Sequence, residues 1–237
     1  MASVFELAKL SEMTYDSTKV VYRDWYKKLH YGPLSGLGFY AEYYFNHKKR
    51  DVVLAIRGTD LGGEEADRSD ILSDVQIMLG HSPSQLESAK QAYAEIKRLA
   101  NREFFGKYNF YLTGHSLGGG LATILSARHG GKPTVTFNAP SVMRSFIGGY
   151  LFNNIGSYHL ARLNAENILH IRASGDMVSW LNGRHIGKVE DIYVNHWGDS
   201  KMLGASRHLA QHSIKNIVDT LSSSYVHLKE LGWKSLA

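Results

Sequence analysis

The chain has 237 residues, of which 43% are hydrophobic and 21% charged, with a formal net charge of +5 and no cysteine. This length and composition are typical of a globular protein with its own core, and the lack of cysteine excludes disulfides, thiolate catalysis and cysteine-based zinc sites. No apolar run approaches the roughly 18 residues of a membrane span. The basic residues are scattered, without the interleaved aromatic residues of a nucleic-acid-binding sheet. We therefore expect no transmembrane segment and no nucleic-acid partner.

Helical and strand patterns alternate along the chain without a linker or a repeat, which predicts a single domain over 1–237. Ser3 and Glu6 form a capping box that predicts a short first helix. Val52–Ile56 is a continuous apolar run typical of a strand buried on both faces. The remaining predicted elements are strands at Asn109–Thr113, Thr134–Phe137, Ile168–Ala173 and Lys188–Val194, and helices from a capping box at Ser82–Gln85 to about Asn101, at Leu117–His129 and at about Ile214–Leu221. This order predicts an α/β three-layer sandwich with a mostly parallel central sheet.

A serine lies between a predicted strand and a predicted helix in the stretch YNFYLTGHSLGGGLA, which runs from Tyr108 to Ala122. Gly114 and Gly118 flank Ser116 in the G-x-S-x-G pattern of a nucleophile elbow, a tight turn that strains the serine backbone and presents its Oγ. A Cβ at either glycine would collide with the neighbouring strand or helix. The start of the helix supplies unpaired N–H groups and a partial positive charge, both suited to an oxyanion. Ser116 is therefore the candidate nucleophile.

A serine nucleophile needs a histidine base and an acid that orients the histidine, and in α/β-hydrolase order the acid and then the base follow the serine. Asp176 fits the acid because it follows the strand Ile168–Ala173 after a Ser-Gly turn. The Asn182-Gly183 pair predicts a hairpin nearby. The competing acids, which lie before that strand or near the hairpin, are Glu166, Asp191 and Asp199.

Several histidines follow Asp176, and two of them are candidates for the base. His212 comes immediately before the last amphipathic helix, where the end of a loop can direct an imidazole at the elbow. His208 is the alternative if that helix begins earlier. The two histidines also have the spacing of a zinc helix, but Leu209 stands where a zincin has its glutamate, and no third ligand is evident. We therefore predict no metal.

The oxyanion hole needs two donors, and the N–H of Leu117, directly after the serine, is the first. Thr59 is the candidate for the second, because it follows Gly58 at the end of an earlier predicted strand, in the sequence LAIRGTD. An ordinary strand-to-loop turn would also explain this short sequence.

Three segments together resemble the fungal-type (class 3) lipases and their bacterial relatives, which have the α/β-hydrolase fold. They are Ala55–Thr59 (AIRGT), Gly114–Gly119 (GHSLGG) and Gly175–Val178 (GDMV). The resemblance implies that Ser116, Asp176 and a C-terminal histidine, best matched by His212, form the catalytic triad, with Thr59 and Leu117 as the oxyanion hole. It also implies a lid or its hinge at about 61–80. One departure is Ser179, where many members have proline.

The function that this resemblance implies is hydrolysis of lipid acyl esters through an acyl-enzyme, as in a triacylglycerol lipase or a phospholipase A-type enzyme, without a cofactor. A short-chain esterase or thioesterase and a non-catalytic lipid-binding module are the alternatives. The expected partners are a lipid or acyl-ester substrate and, transiently, a lipid interface. The N-terminal sequence MASVFELAKLSEM has no basic region followed by an apolar one, so we expect no Sec signal peptide. A cytoplasmic location and export by another route are both compatible with this sequence.

Overall fold

The computed structural model of the chain describes residues 1–32, 38–59, 83–143, 155–181, 183–194 and 210–223. In these ranges the strands are β1 (Val21–Tyr22), β2 (Trp25–Tyr31), β3 (Ala41–Asn46), β4 (Asp51–Ile56), β5 (Asn109–His115), β6 (Thr134–Phe137), β7 (Ile168–Ala173) and β8 (Lys188–Ile192). The helices of the same ranges are α1 (Val4–Met13), α2 (Pro83–Phe104), α3 (Leu117–Arg128), α4 (Ile155–Asn164) and α5 (Ile214–Ser223). Short 3₁₀ turns lie at Ala165–Asn167 and Val178–Trp180.

The described strands form one sheet in chain order, from β1 to β8. Strands β1 to β4 pair antiparallel, and strands β4 to β8 pair parallel. The predicted mostly parallel α/β architecture is confirmed, and the antiparallel strands β1 to β3 are an addition that the sequence patterns did not reveal. The hairpin predicted at Asn182-Gly183 is wrong: β8 runs parallel to β7, because the intervening chain crosses back to the other end of the sheet before β8 begins.

Helices cover both faces of the sheet. Parallel strands that follow one another in chain order are joined by right-handed crossovers on the same side, so α2, α3 and α4 lie together on one face. Helices α1 and α5 cover the other face. In β4, Val52, Leu54 and Ile56 contact the first layer of helices, whereas Val53 and Ala55 contact the second. This two-sided burial explains why the strand reads as a continuous apolar run.

The ends of most predicted helices and strands agree with the structure to within a few residues. The capping box of α1 is confirmed, since the Glu6 N–H donates to Ser3 Oγ at 3.1 Å and the Ser3 N–H donates to the Glu6 carboxylate at 2.9 Å. Helix α2 continues to Phe104, beyond the predicted end at about Asn101. Ser82 of the second predicted capping box and the lid predicted at 61–80 lie outside the described residues. The lid and the single domain over 1–237 stay predictions.

The carboxyl ends of β4 to β7 lie along one edge of the sheet, because these strands are parallel. The residues that follow them are Gly58, Ser116, Asn138 and Asp176. The fold therefore brings together four loops whose sequence positions span about half of the chain.

Candidate active site

Ser116 lies in the turn between β5 and α3, and its backbone has φ 53° and ψ −131°. A positive φ is rare for a residue with a side chain and is strained, so the surrounding structure must enforce it. A Cβ on Gly114 would lie 2.6 Å from the backbone of Gly118, and a Cβ on Gly118 would overlap the carbonyl oxygen of Ile56 in β4. The predicted need for glycine at both positions is confirmed, since the turn fits only where strand and helix backbones approach this closely.

His212 is hydrogen-bonded to both Ser116 and Asp176. Its Nε2 lies 2.9 Å from Ser116 Oγ, and its Nδ1 lies 2.9 Å from Asp176 Oδ1. An ionised carboxylate only accepts hydrogen bonds, so in the neutral ring the proton is on Nδ1 and the lone pair of Nε2 faces the serine hydroxyl. The three residues predicted as a triad are therefore adjacent and correctly ordered, although their catalytic roles stay a prediction.

Asp176 is buried, with only 1% of its surface exposed. Burial raises the pKa of this carboxyl, but the facing His212 and the hydrogen bonds from His212 and Ser179 outweigh burial, so the pKa lies below its ordinary value. The N–H groups of Ser179 and Val178 donate to the carboxylate at 3.0 and 3.3 Å. Proline, which many fungal-type lipases have where this chain has Ser179, could not donate the shorter of these bonds.

The loop after β4 lies directly against the elbow. A Cβ on Gly58 would lie 2.6 Å from the carbonyl oxygen of His115 and 2.9 Å from the Cβ of Ser116, so only glycine permits this approach. Thr59 follows Gly58 and is half-buried. On the other side, Leu117 is the first residue of α3, where N–H groups have no acceptor within the helix. Of the two predicted oxyanion-hole residues, Leu117 directly follows Ser116, and Thr59 directly follows Gly58, which lies against Ser116.

The competing acids and bases have different surroundings. Glu166 lies in the 3₁₀ turn before β7 and is exposed. Asp191 accepts two hydrogen bonds from Arg172, at 2.8 and 2.9 Å. Asp199 and His208 lie outside the described residues.

Tyr15, His115 and Asn138 also contact the loops of the site, and sequence reasoning did not single them out. The available signal for His115 was its place inside the G-x-S-x-G pattern. Tyr15 gave no signal, because 100 residues separate it from His115 in the chain.

No cluster of three or more potential metal ligands occurs among the described residues. Within the same ranges, none of the helices is both long and apolar enough to cross a membrane.

Fold and site together define the class of the protein: an α/β-hydrolase fold with a serine at a nucleophile elbow. The sequence model of a family described as phospholipase-like, the Tle-like phospholipase domain, matches residues 6–223. The chain therefore belongs to the Tle-like phospholipase domain family and is a lipid ester hydrolase. A comparison with curated proteins finds no significant match.

Solved lipase structures share this fold. Lipase II from Rhizopus niveus is 16% identical, with 90% of this chain and 91% of that chain covered and a TM-score of 0.56. A triacylglycerol lipase from Penicillium expansum is 15% identical, with 82% of each chain covered and a TM-score of 0.50. The resemblance to fungal-type lipases that the motifs indicated is confirmed at the level of the fold.

Proposed function

We propose that this protein is a serine acyl hydrolase of the phospholipase A type, which cleaves carboxylic esters of glycerophospholipids through an acyl-enzyme. The observation that carries the proposal is the continuous hydrogen bonding from Ser116 through His212 to Asp176, with both bonds at 2.9 Å. The strained serine at the start of α3 supports the same role, because it presents Oγ beside N–H groups that a developing oxyanion requires.

The reaction follows from the positions of these groups. Ser116 Oγ attacks the ester carbonyl carbon while His212 Nε2 takes the hydroxyl proton, and Asp176 stabilises the resulting imidazolium. The N–H groups of Leu117 and Thr59 donate to the oxyanion of the tetrahedral intermediate. Its collapse breaks the ester bond, and His212 gives the proton to the leaving alcohol. Water, deprotonated by His212, then releases the fatty acid and restores the serine.

A phospholipid substrate is supported by the family membership and by the charge of the chain, which is +5. A basic protein is attracted to anionic lipid surfaces. The proposed attack on a carboxylic ester predicts a definite pair of products, a free fatty acid and a lysophospholipid, with the phosphate head group still attached.

Three exposed apolar side chains lie at the carboxyl edge of the sheet, near the candidate acid. Met177 follows Asp176 directly and is 38% exposed, Trp180 ends the adjacent 3₁₀ turn and is 64% exposed, and Tyr193 follows β8 and is 70% exposed. Tryptophan and tyrosine favour the boundary between water and lipid, since each has an apolar ring with a polar group. We propose that this group of three, the apolar rim, contacts the lipid interface.

The test is product analysis after incubation with vesicles of phosphatidylglycerol and phosphatidylethanolamine. Wild type is expected to release fatty acid and lysophospholipid, and an added alcohol such as methanol is expected to trap the acyl group as its methyl ester. Ser116→Ala should abolish both products, whereas Ser174→Ala, which changes an exposed serine in the turn before the candidate acid, should release them at the wild-type rate. Release of glycerol phosphate or phosphoethanolamine with diacylglycerol, or unchanged activity in Ser116→Ala, would contradict the proposal.

Substrate preference is measured in parallel with p-nitrophenyl esters from acetate to palmitate and with a triacylglycerol emulsion. Hydrolysis confined to acetate and butyrate would contradict the phospholipid assignment and indicate a short-chain esterase.

A further inference from the structure

The segment 210–212, called here the base segment, carries His212 and precedes α5. Two consecutive carbonyl groups of this segment accept hydrogen bonds from buried side chains of the sheet edge. Asn138 Nδ2 donates to the Gln211 carbonyl at 2.7 Å, and His115 Nε2 lies 2.6 Å from the His212 carbonyl. These bonds fix the peptide groups on both sides of the His212 Cα atom.

Asn138 connects the base segment to the strand that leads to the acid. It follows β6, is fully buried, and has a φ of 45°, a conformation that asparagine tolerates better than most residues. Its side-chain oxygen accepts the N–H of Ala173, the last residue of β7, at 2.8 Å. One amide group therefore contacts the chain three residues before Asp176 and one residue before His212.

His115 connects the base segment, through Tyr15, to the loop after β4 that contains Gly58 and Thr59. Burial and the adjacent His212 lower the pKa of His115 to about 3, so the ring is neutral and has a single N–H. A carbonyl oxygen only accepts, and this N–H must therefore be on Nε2, facing His212. Nδ1 then accepts from the Tyr15 hydroxyl at 2.8 Å, while the Tyr15 oxygen accepts the Gly58 N–H at 3.0 Å.

The hydrogen bonds thus run in one direction, from Gly58 through Tyr15 and His115 to the carbonyl of His212. Tyr15 determines which nitrogen of the His115 ring carries the proton. Because the Tyr15 hydroxyl donates to Nδ1, Nδ1 is the acceptor and the N–H is on Nε2. Without that hydroxyl, the ring could place its proton on Nδ1, and its Nε2 lone pair would then repel the His212 carbonyl. Loss of the Tyr15 hydroxyl, two residues after the end of α1, would therefore weaken the hydrogen bond from His115 to the His212 backbone.

We propose that His115 and Asn138 are positioning residues for His212, and that Tyr15 sets the tautomer that His115 needs for this task. The proposal rests on the proposed catalytic role of Ser116, His212 and Asp176. Each positioning residue acts on the backbone of the base segment rather than on the substrate. A shift of about 1 Å in a reacting group can lower a rate by roughly 100-fold, so fixing this backbone matters for turnover.

A second buried histidine provides a matched control. His170 in β7 also has a pKa lowered to about 3 by burial. Its Nε2 lies 2.7 Å from the Ile186 carbonyl, and its Nδ1 lies 2.7 Å from the Thr136 hydroxyl. His170 thus repeats the bonding of His115 at a place where the partner carbonyl belongs to no residue of the site. We therefore expect His170→Leu to lower the free energy of unfolding about as much as His115→Leu does.

The experiment measures kcat and KM on p-nitrophenyl butyrate, a small ester, per mole of folded enzyme determined by circular dichroism. His115→Leu is expected to lower kcat by about 10- to 100-fold and to leave KM within about twofold. His115→Gln, whose amide can donate from near the place of Nε2, should recover most of the turnover. His170→Leu should keep the wild-type kcat.

Tyr15→Phe removes one oxygen and keeps the rest of the ring, so it tests the proposal even if His115→Leu does not fold. It is expected to lower kcat by roughly 3- to 10-fold, the effect of one weakened hydrogen bond. Combined with His115→Leu, it should add little further loss, because Tyr15 acts through His115.

A kcat for His115→Leu equal to that of His170→Leu would overturn the positioning role of His115, and a wild-type kcat for Tyr15→Phe would overturn the role of Tyr15. A fully additive loss in the double variant would overturn the role of Tyr15 in setting the tautomer. Ser116→Ala, assayed alongside, separates this proposal from the proposed function. If Ser116→Ala still turns over, the catalytic assignment fails; if it is inactive while His115→Leu is unimpaired, only the positioning role fails.

Discussion

Replacing Asp176 by asparagine is the change whose consequence the structure defines most closely. The carboxylate accepts from His212 and Val178 at Oδ1 and from Ser179 at Oδ2. An asparagine has one oxygen and one NH₂ group, so in either orientation its NH₂ group faces a donor. The orientation that keeps the shorter backbone bond, to Ser179, places the NH₂ group against His212 Nδ1.

In that orientation His212 must accept at Nδ1, so its proton moves to Nε2. The ring then donates to Ser116 Oγ and cannot take the serine proton. We expect kcat to fall by about 10³- to 10⁴-fold at neutral pH, which is about 4 to 5 kcal/mol of transition-state stabilisation, with little change in KM. Stability should fall by only about 1 to 3 kcal/mol, since one backbone N–H loses its acceptor.

The assay compares Asp176→Asn with Asp191→Asn on the same soluble ester, together with urea unfolding of both variants. Asp191 was a competing acid in the sequence, and its carboxylate is bonded to Arg172. Asp191→Asn should retain kcat within about threefold, because exposed ion pairs contribute little. A wild-type kcat in Asp176→Asn, or a large loss in Asp191→Asn, would refute the assignment of the acid.

Three further outcomes follow from the structure. Gly118→Ala should lose more than about 3 kcal/mol in urea unfolding, because its Cβ overlaps the Ile56 carbonyl, and unchanged stability would contradict the close packing. His115 and His170 stay neutral when folded, with pKa values of about 3, whereas the unfolded chain binds protons below about pH 6.5. As the pH is lowered from about 6.5 to about 3, the free energy of unfolding should therefore decrease by about 1.4 kcal/mol per pH unit for each ring. Urea unfolding from about pH 7 to about pH 5 checks this, and His170→Gln must show a shallower slope. Trp180→Ala, which truncates the apolar rim, should weaken sedimentation with anionic vesicles while leaving hydrolysis of p-nitrophenyl butyrate unchanged. Equal vesicle binding would exclude this residue from the interface.

Strands β4 to β7 could be predicted from the sequence because they are buried on both faces. Thr134–Phe137 and Ile168–Ala173 agree with β6 and β7 residue by residue. The antiparallel strand β2 lacks that signal: most of its residues are exposed or half-buried, and its sequence WYKKLHY mixes charged with aromatic residues. Pairing with β3, rather than local pattern, determines that it is a strand.

The hairpin predicted before β8 failed for a related reason. An Asn-Gly pair favours a two-residue turn, but the local signal does not specify the direction of the next strand. Here Ile186 accepts a hydrogen bond from His170, and Gly187, with a φ of 104°, lies against the Ile168 carbonyl. These contacts place the start of β8 beside the start of β7, so the two strands run parallel.

Some residues of the candidate site could likewise be predicted from the neighbouring sequence, and others depend on contacts with distant parts of the chain. Ser116 was predictable because the elbow needs its glycines within a few residues, and Asp176 because it follows a recognisable strand. The position before the last helix favoured His212 but left His208 as an alternative, because the proposed role of the base depends on contacts to residues 36 and 96 positions away. Tyr15 is the extreme case, because it is joined to His115 only after α1 has packed on the sheet.

The position of Tyr15 bears on how the site is stabilised. Helices α1 and α5 pack against each other and against the same face of the sheet. The base segment precedes α5, and Tyr15 follows α1. The two ring nitrogens of His115 face these two segments, Nε2 towards the His212 carbonyl and Nδ1 towards the Tyr15 hydroxyl. The packing of α1 against α5 therefore fixes both ends of the hydrogen bonds that pass through His115. Leu10→Ala changes the core that α1 and α5 share, and Ile96→Ala changes the core between α2 and the other face of the sheet. At equal loss of unfolding free energy, we expect Leu10→Ala to lower kcat per folded molecule more than Ile96→Ala does.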